Sequence, residues 1–534
     1  MMASNATDAS LLKSDHPLDK PSALGQWPNY TVVAILLAGL VYVGYSLTEE
    51  LTSAVAVPWI LLGLALLIAL GFEFVNGFHD TANAVATVIY TNSLPAELAV
   101  IWSGFFNFLG VMTASGAVAF GIISLLPVEL IMQVGSSAGL AMVFSLLSAA
   151  ILWNLGTWYL GIPSSSSHTL IGSIIGVGLA NQFLSPAGTV TSGVDWSKAS
   201  EVGMSLLVSP LIGFGVAALL LLTMKVLVRS KALYEAPKGN TPPPLWIRAL
   251  LIFTCTGVSF AHGSNDGQKG MGLIMLILIG VVPTAFALNR TPDINYLEAY
   301  KAASTAASTT LHSYAKPEIV VSDARAVVNN AVRTKTWSDE MTAALPRFID
   351  DTGASISPYG SVANVPNGMV SNTRNDMYLI GEALKLVEKQ KPLPLQDAEM
   401  TTIKSYHKAI DNATKFIPTW VKVAVALALG LGTMVGWKRI VVTVGEKIGK
   451  THLTYGQGAS AELVAMGTIF TADSLGLPVS TTHILSSGVA GTMVANGSGL
   501  QMSTVRNLLM AWVLTLPVSI ALSFTLFIIL RQLI

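Results

Sequence analysis

The stretch GFHDTANA at 77–84 places Asp80 inside an apolar segment that runs from about 57 to 90. Ionisable groups within an apolar membrane segment are costly, and they usually mark the path of an ion or a substrate. The chain repeats the pattern 186 positions later (266 − 80), where HGSNDGQKG at 262–270 places Asp266 in a second apolar run. Two acid-and-amide motifs of this kind predict a two-part transport site within a membrane.

The composition predicts a protein that crosses the membrane several times. Of the 534 residues, 52% are hydrophobic and only 11% are charged, and the mean hydropathy is +0.60. Soluble domains carry about 25% charged residues. The net charge is zero, which gives no electrostatic reason to expect a nucleic-acid partner. The first thirty or so residues are polar, resemble neither a signal peptide nor a transit peptide, and predict a disordered tail.

Apolar runs of about 20 residues are long enough to span a bilayer, and the sequence predicts about eleven such spans. They lie at about 32–48, 57–90, 98–126, 138–160, 163–184, 202–228, 245–288, 417–437, 459–475, 478–497 and 507–533. The first has no counterpart later in the chain. A polar block at about 289–416 interrupts the series and is too hydrophilic to span.

The last ten spans resemble two copies of one five-span unit. PSSSSHTLIGSIIGVGLAN at 163–181 aligns without gaps on PVSTTHILSSGVAGTMVAN at 478–496, at an offset of 315 (478 − 163). The acid motifs are offset by 186, and the difference, 129, is close to the length of the polar block 289–416. One insertion in the second copy therefore explains both offsets. Because five crossings are an odd number, we expect the copies to lie in opposite orientations, a common transporter design.

We therefore predict an all-α polytopic membrane protein made of two inverted five-span repeats. Its parts are a polar tail (1–31), an extra N-terminal span (32–56), the first transport repeat (57–228), a cytoplasmic linker (229–244), the first part of the second repeat (245–288), a polar extracytoplasmic insert (289–416) and the remainder of the second repeat (417–534).

The positive-inside rule places the basic loops at 225–244 and 438–458 in the cytoplasm. The N-terminal tail is then cytoplasmic as well, whereas the insert and the C-terminus lie outside. If 163–184 and its counterpart are re-entrant hairpins and do not cross the membrane, another segment of each copy has to supply the crossing that keeps their number odd. The insert is either a small external domain or largely disordered.

The segments that carry the acid motifs are too long to be simple spans. A continuous helix over 57–90 would measure roughly 51 Å at 1.5 Å per residue, against a hydrocarbon core of about 30 Å. We expect a break or a steep tilt. Glycines tolerate unwound backbone, and the glycines expected at the breaks are Gly77, Gly263, Gly267 and Gly270.

Aligning the two acids sets Asn83 against Lys269. If helix resumes at Asp80, Asp80 and Asn83 share one face, because they are three residues apart; alternatively they form a cap or a hydrogen bond that only fixes packing. Lys269 can pair with Asp266, stand where a bound cation would sit, or meet an anionic substrate. We hypothesise that Lys269 is a built-in cation, so that the second half-site needs no metal ion.

Two further ionisable side chains are candidates for proton transfer. His79 directly precedes Asp80 and aligns with Asn265. Glu73 lies seven residues before Asp80, which is two helical turns and nearly the same face. Glu73 is therefore either a proton relay or a glutamate that reaches the surface near a helix end.

Each copy also carries a proline, a hydroxyl cluster and a histidine. The residues are Ser164, Ser165, Ser166, Ser167, His168 and Thr169 in the first copy, and Ser480, Thr481, Thr482 and His483 in the second. Proline suits the first turn of a helix and serine or threonine suits its cap, so both motifs predict helix starts.

Free N–H groups, the positive dipole end and hydroxyl donors form an anion site without arginine. Two such helix starts from inverted copies would enclose one tetrahedral oxyanion. The alternative is that the hydroxyls bond back to helix carbonyls. The histidines His168 and His483 either titrate near neutral pH or serve packing, and Asp473, which has no acidic counterpart in the first copy, is a lesser candidate.

The motifs GFHDTANAVAT, SFAHGSNDGQKG, PSSSSHTLIG and PVSTTHILSSGVAGT resemble those of the inorganic phosphate transporter (Pit) family, and in particular its bacterial low-affinity, proton-coupled members. The resemblance covers about 57–288 and 417–533. It implies a multi-pass symporter of inorganic phosphate in a bacterial-type inner (plasma) membrane. Bacterial members of this type are associated with neutral divalent metal phosphate complexes that move with protons.

The resemblance also implies a site between the inverted repeats. Its expected phosphate-binding residues are Asp80, Asn83, Ser165, Ser166, Ser167, Asn265, Asp266, Ser480, Thr481 and Thr482. With the candidates argued above from the residues themselves, the expected coupling-ion and proton residues are Asp80, Asp266, Lys269, Glu73 and His79. The family's usual N-D-x-x-N pattern is broken here by His79 and by Lys269, which argues for protons rather than sodium.

No cofactor, dedicated metal site or enzymatic activity is expected, and a homodimer is considered as an assembly state. Three alternatives stay open. The chain could carry another small oxyanion such as sulfate, or it could be a sodium-coupled phosphate symporter. The third is an intramembrane serine hydrolase, which would need one activated nucleophile with a base instead of hydroxyl runs in duplicate.

Overall fold

A computed structural model describes residues 27–51, 59–80, 82–186, 191, 193–239, 241–289, 294–360 and 362–533. Apart from three short 3-10 turns, the regular elements of these residues are α-helices. They are α1 (Trp27–Leu51), α2 (Trp59–Asp80), α3 (Ala82–Tyr90), α4 (Ala96–Thr113), α5 (Ala117–Ile123), α6 (Val128–Met132), α7 (Ser137–Tyr159), α8 (Ser166–Phe183), α9 (Trp196–Leu227), α10 (Leu245–Val281), α11 (Pro283–Phe286), α12 (Ile294–His312), α13 (Ala324–Thr334), α14 (Asp339–Ile356), α15 (Asn367–Gln390), α16 (Asp397–Thr414), α17 (Thr419–Thr433), α18 (Lys438–Glu446), α19 (Tyr455–Ser474), α20 (Thr481–Ala495) and α21 (Met502–Leu533). Residues 1–26 of the expected tail lie outside the described residues.

Seven membrane-length apolar segments occur within the described ranges, fewer than the eleven spans expected. They are Val33–Leu51 in α1, the α2–α3 segment Trp59–Tyr90, and α4, α7, α9, α10 and α21. The other four predicted spans form helices α8, α17, α19 and α20, which do not by themselves meet both the length and the hydropathy of a span, and α17 qualifies only together with α16, from which it is bent by 73°. The 15 residues of α20 make a helix of about 22 Å, shorter than a hydrocarbon core of about 30 Å. The re-entrant alternative for 163–184 and its counterpart therefore stays open.

The span expected at 98–126 is wrong in its second half. Helix α4 ends at Thr113, and α5 begins at Ala117 after Gly116, whose φ of 91° lies in the left-handed region. Glycine adopts this conformation without steric cost. The chain therefore turns here instead of continuing through the membrane.

The glycines of the acid motifs do not break their helices, contrary to our expectation. Gly77 lies inside α2, and Gly263, Gly267 and Gly270 lie inside α10, which is continuous over 37 residues. These glycines allow close approach between helices: a Cβ on Gly77 would lie 2.3 Å from the Leu429 carbonyl oxygen of α17. Residue 81, between α2 and α3, lies outside the described residues.

Helices from the two halves of the chain pack against each other reciprocally. Helix α9 packs on α20 while α21 packs on α8, and α4 packs on α10 while α17 packs on α2. The same glycine contact recurs: a Cβ on Gly176 of α8 would lie 2.3 Å from the Ile520 oxygen, and one on Gly491 of α20 would lie 2.1 Å from the Phe214 oxygen. Gly176 and Gly491 are equivalent positions in the alignment of 163–181 with 478–496. The acid and serine motifs lie in the interior between these pairs.

The polar insert folds into the five helices α12–α16, so it is not largely disordered. Its core contains the fully buried Tyr300 and Tyr406, whose hydroxyl oxygens are 3.2 Å apart. The insert rests on the C-terminal end of α6, where Arg374 donates to the Ile131 carbonyl (3.4 Å) and Asn375 donates to the Met132 carbonyl (3.2 Å). It therefore covers the end of the helical bundle at which α4 ends and α9 begins.

Candidate functional site

The two acid motifs meet in the interior. Asp80 is the last residue of α2 and Asp266 lies in the middle of α10, and their exposed fractions are 3% and 1%. Three side chains, those of Asp80, Asp266 and His262, each offer one possible ligand atom, and these three atoms lie within 4.8 Å of one another. The structure thus brings together residues that are 186 positions apart in sequence.

Both serine-rich motifs begin helices, as the sequence predicted. Helix α8 begins at Ser166 with Ser165 as its cap, and α20 begins at Thr481 with Ser480 as its cap. Each capping hydroxyl accepts a hydrogen bond from the backbone N–H of the histidine three residues later, His168 (3.2 Å) or His483 (3.1 Å). The local capping chemistry is therefore the same in the two halves.

The two helix starts converge on Asp80. Ser166 Oγ donates to Asp80 Oδ2 (2.8 Å), and Thr482 Oγ1 donates to Asp80 Oδ1 (2.5 Å). One hydroxyl from each half of the chain thus binds one carboxylate. Hydrogen bonds to a charged acceptor are among the strongest in proteins, so this contact fixes the two helix starts relative to α2.

The remaining predicted hydroxyl and amide residues whose side chains are described make other contacts. Ser167 Oγ donates to the Val479 carbonyl (2.6 Å), and Asn265 Nδ2 donates to the Leu477 carbonyl (3.1 Å). Both contacts hold the extended segment before α20. Thr481 Oγ1 is buried and has no hydrogen-bond partner within the described residues, and the side chain of Asn83 lies outside them.

Lys269 points at Asp266 within the protein interior. Its Nζ is 2.6 Å from Asp266 Oδ2, and both side chains are at most 1% exposed. Of the three arrangements considered for Lys269, the structure contains the internal ion pair. The ammonium therefore neutralises one of the two aspartates at the centre of the site.

Glu73 and His79 are both fully buried on α2. Glu73 does not lie at the surface: its Oε2 accepts from Asn76 (3.4 Å), and a Cβ on Gly270, next to Lys269, would lie 2.2 Å from its Cγ. His79 Nδ1 is 3.3 Å from Asp80 Oδ1, while its Nε2 is 3.1 Å from Thr157 Oγ1 in α7. The two candidates for proton transfer thus lie beside the two aspartates.

Several buried polar residues of this region were missed by the sequence reasoning. They are Asn107, His262 and Gln268. His262 carried a signal that could have identified it, because it lies four residues before Asp266 on the same helix face. Gln268 accepts from the Val118 N–H of α5 (2.9 Å) and donates to Asp473 (2.6 Å), which also accepts from Ser264 (2.7 Å). Asp473 therefore fastens α19 to α10.

The site is enclosed in this conformation. Every predicted site residue whose side chain is described is at most 3% exposed. A ligand can reach these groups only if helices move, which is the behaviour of a carrier that alternates access to an occluded central site. The fold and the site thus define a class, the helical membrane carriers with a central site for a small polar ligand.

Comparison with known proteins identifies the family. The model of the phosphate transporter family matches residues 76–523 of the chain. The chain is 42% identical over 485 residues to the low-affinity inorganic phosphate transporter PitA of Escherichia coli strain K12, covering 86% of this chain and 95% of that protein. It is 40% identical over 522 residues to PitB of the same strain, covering 88% and 98%. A solved structure described as the sodium-dependent phosphate transporter aligns with a TM-score of 0.48 and 20% identity, over 89% of this chain and 100% of that one.

The chain belongs to the phosphate transporter family. It is a multi-pass membrane protein that transports phosphate and is not an enzyme, which removes the serine hydrolase alternative.

Proposed function

We propose that the chain is a secondary active symporter of inorganic phosphate that couples transport to protons in a bacterial-type inner membrane. The observation that carries the proposal is the contact of Ser166 and Thr482 with Asp80, because it joins one helix start from each half at one carboxylate. The proposal includes seven further phosphate ligands. They are Asn83, Ser165, Ser167, Asn265, Asp266, Ser480 and Thr481.

Two helix starts suit an oxyanion because their N–H groups and hydroxyls are donors. The carboxylates of Asp80 and Asp266 favour phosphate over sulfate. At neutral pH phosphate still carries a proton that a carboxylate can accept in a hydrogen bond, whereas sulfate carries none and is repelled by the same oxygen. Sulfate and similar oxyanions remain the alternative that competition experiments address.

Proton coupling is supported by the ionisable groups on α2 and α10. A buried carboxyl group within a membrane helix is a candidate proton carrier, and Glu73 lies close to Lys269. Lys269 already supplies a positive charge at Asp266, so this half of the site has less need of a sodium ion. Sodium-coupled symport is the competing hypothesis.

The inverted repeat is supported by the reciprocal packing of the two halves, with α8 and α20 each held by the last long helix of the other half. The directions of α9 and α21 also support an inverted repeat. Helix α9 begins beside the insert, where Asp195 contacts Lys335 (2.7 Å), whereas α21 begins at the opposite end, where Gln501 donates to the Glu446 carbonyl (3.0 Å). Equivalent helices thus run in opposite directions.

The proposed topology places the basic loops together on the cytoplasmic side. Asn92 donates to the Gly239 carbonyl (2.9 Å), and Tyr90 donates to Glu446 (2.8 Å), so the loop after α3 lies beside both 229–244 and 438–458. The insert lies at the other end, which we assign to the outside. The domain boundaries of the sequence prediction are retained in this proposal.

Reconstitution in proteoliposomes tests the proposed function. We expect radiolabelled phosphate uptake to rise when the external pH is lowered and to be indifferent to a sodium gradient. Excess sulfate should compete weakly, whereas unlabelled phosphate should compete fully. Uptake that requires sodium would overturn proton coupling, and sulfate competition as strong as phosphate competition would overturn the assigned anion. Adding Mg²⁺, Mn²⁺ or Zn²⁺ tests whether metal phosphate complexes are the transported species.

A further inference from the structure

We propose that Asp80, His262 and Asp266 form a binding site for a divalent transition metal ion of the zinc class. Their ligand atoms lie within 4.8 Å of one another, and all three side chains are buried. Zinc binds nitrogen and oxygen ligands at about 2.0–2.2 Å, so ligand atoms around it are roughly 3–4 Å apart. Small side-chain movements therefore close the site around an ion.

A chain of hydrogen bonds fixes which nitrogen of His262 faces this cluster. Thr433 Oγ1 donates to the Leu429 carbonyl (2.9 Å), so its oxygen accepts from Asn107 Nδ2 (3.2 Å). The amide oxygen of Asn107 then faces His262 Nδ1 at 2.8 Å. Because an amide oxygen can only accept, His262 Nδ1 carries the proton.

The other nitrogen of His262 is available to a metal. Nε2 is buried, and it has no hydrogen-bond partner in the part of the chain that the structure describes. It faces Asp266 Oδ2 at 3.5 Å, longer than a good hydrogen bond. A metal-binding histidine characteristically donates its second ring N–H to an oxygen, which fixes the ring and raises its basicity. Asn107 provides that oxygen here.

The ligand set selects the class of metal. Imidazole nitrogen favours zinc and its neighbours in the transition series, whereas Mg²⁺ and Ca²⁺ prefer oxygen ligands alone. Two aspartates and Lys269 carry a net charge of −1 (−2 + 1), which suits a divalent cation that enters with an anion. The inference deepens the proposed function and rests on it for the identity of that anion, phosphate.

Cobalt(II) is the probe, because it replaces zinc and has a ligand-sensitive visible spectrum. The purified full-length protein in detergent, without phosphate, should bind one Co²⁺ ion with an absorption that indicates nitrogen and oxygen ligands. The paramagnetically shifted proton NMR spectrum should contain one imidazole N–H resonance that disappears in D₂O. Wild-type protein without this resonance overturns the proposal, whatever the variants do.

Variants assign the signal to its residues. We expect His262→Gln to remove the N–H resonance and to weaken Co²⁺ binding at least about tenfold, whereas His312→Gln, at an exposed histidine of α12, should change neither. Asn107→Ala should weaken binding about 10- to 100-fold, as losses of outer hydrogen bonds do. Asn107→Asp should restore it, because a carboxylate also accepts the N–H. Binding that is unchanged in His262→Gln overturns the site.

Phosphate uptake by the same wild-type preparation separates the two proposals. Uptake without a His262-dependent Co²⁺ site overturns the metal site and leaves the proposed function standing. A His262-dependent site in protein that does not accumulate phosphate under any gradient overturns the proposed function and leaves the metal site standing.

Discussion

Asp80 is the residue at which the two halves of the molecule meet, since it accepts a hydroxyl hydrogen bond from α8 and another from α20. A carboxylate held in this way has both oxygens satisfied by donors that also suit phosphate. When phosphate binds, these hydroxyls can turn from Asp80 to the substrate. The same donors would then serve both the empty and the loaded site.

Removing either hydroxyl tests this role. We expect Ser166→Ala and Thr482→Val each to reduce phosphate uptake at low substrate concentration by about tenfold or more, because a hydrogen bond to a charged group contributes about 1.5–3 kcal/mol. Initial rates in proteoliposomes measure the effect. The matched control is Ser173→Ala, whose hydroxyl donates to the Thr169 carbonyl within α8 (2.8 Å) and whose loss should leave uptake near wild type. Wild-type uptake in both site variants would contradict this role for Asp80.

Lys269 decides which cation the transporter needs, according to the built-in-cation hypothesis. In Lys269→Asn the buried Asp266 loses its partner at 2.6 Å, and an uncompensated buried charge costs several kcal/mol. We therefore expect phosphate uptake without sodium to be abolished in Lys269→Asn, and either to stay abolished or to be restored when sodium is added. Lys269→Ala should behave similarly. Uptake in both variants that is as fast as wild type and indifferent to sodium would end the hypothesis.

At the scale of helices, glycines allow α2 and α17 to approach each other closely. A Cβ on Gly77 would lie 2.3 Å from the Leu429 carbonyl oxygen, and one on Gly432 would lie 2.2 Å from the Phe74 oxygen. Both distances are shorter than any van der Waals contact allows. Substituting either glycine therefore has to separate the helices that hold Asp80 in place.

Gly77→Ala should lower the thermal stability of the detergent-solubilised protein by an amount expected of overpacking, about 1–3 kcal/mol. Fluorescence-detected size exclusion after heating measures the loss. Gly71→Ala in the same helix is the control, because a Cβ there would meet nothing within 4 Å and alanine is the better helix former. An equal shift in both variants would show that helix propensity, and not close approach, governs the effect.

The helix starts at Ser165 and Ser480 could be predicted from sequence because capping is local: the hydroxyl and the N–H that it accepts from lie three residues apart. The role of the glycines in the acid motifs could not be predicted from the sequence. A glycine serves an unwound backbone and a close helix contact equally well, and only the position of α17 or α4 decides between them. The spacing of His262 to Asp266 was a local signal, but its contact with Asn107 could not be predicted, because Asn107 lies 155 positions away on another helix.

At the scale of the molecule, the insert is joined to the transport helices by ion pairs. Lys335, at the end of α13, contacts Asp195 at 2.7 Å, and Lys389, at the end of α15, lies 3.9 Å from Glu201. Both acids lie at the start of α9, the helix that packs on α20. Movement of α9 during transport would therefore be transmitted to the insert.

The Asp195–Lys335 pair should hold the insert against α9 at physiological pH. Burial alone would raise the pKa of Asp195, but hydrogen bonds from Lys335 and from the Lys198 N–H, with the nearby lysine charges, outweigh it and lower the pKa. A carboxyl group whose pKa is lowered by folding stabilises the folded arrangement at every pH above its ordinary pKa of about 3.9. This contribution is lost as the pH falls through the lowered pKa. The pair should therefore act across the physiological range and fail only in strong acid.

Asp195→Asn isolates the charge, because asparagine caps a helix as well as aspartate does but cannot pair with Lys335. We expect faster hydrogen–deuterium exchange at pH 7 in 331–336 and at the start of α9, while the transport helices keep their protection. Asp339→Asn is the control: its pair with Lys316 lies within the insert and is more than half exposed on both sides, and exposed pairs contribute little. Unchanged exchange in Asp195→Asn would mean that the polar contacts of Arg374 and Asn375 hold the insert without this ion pair.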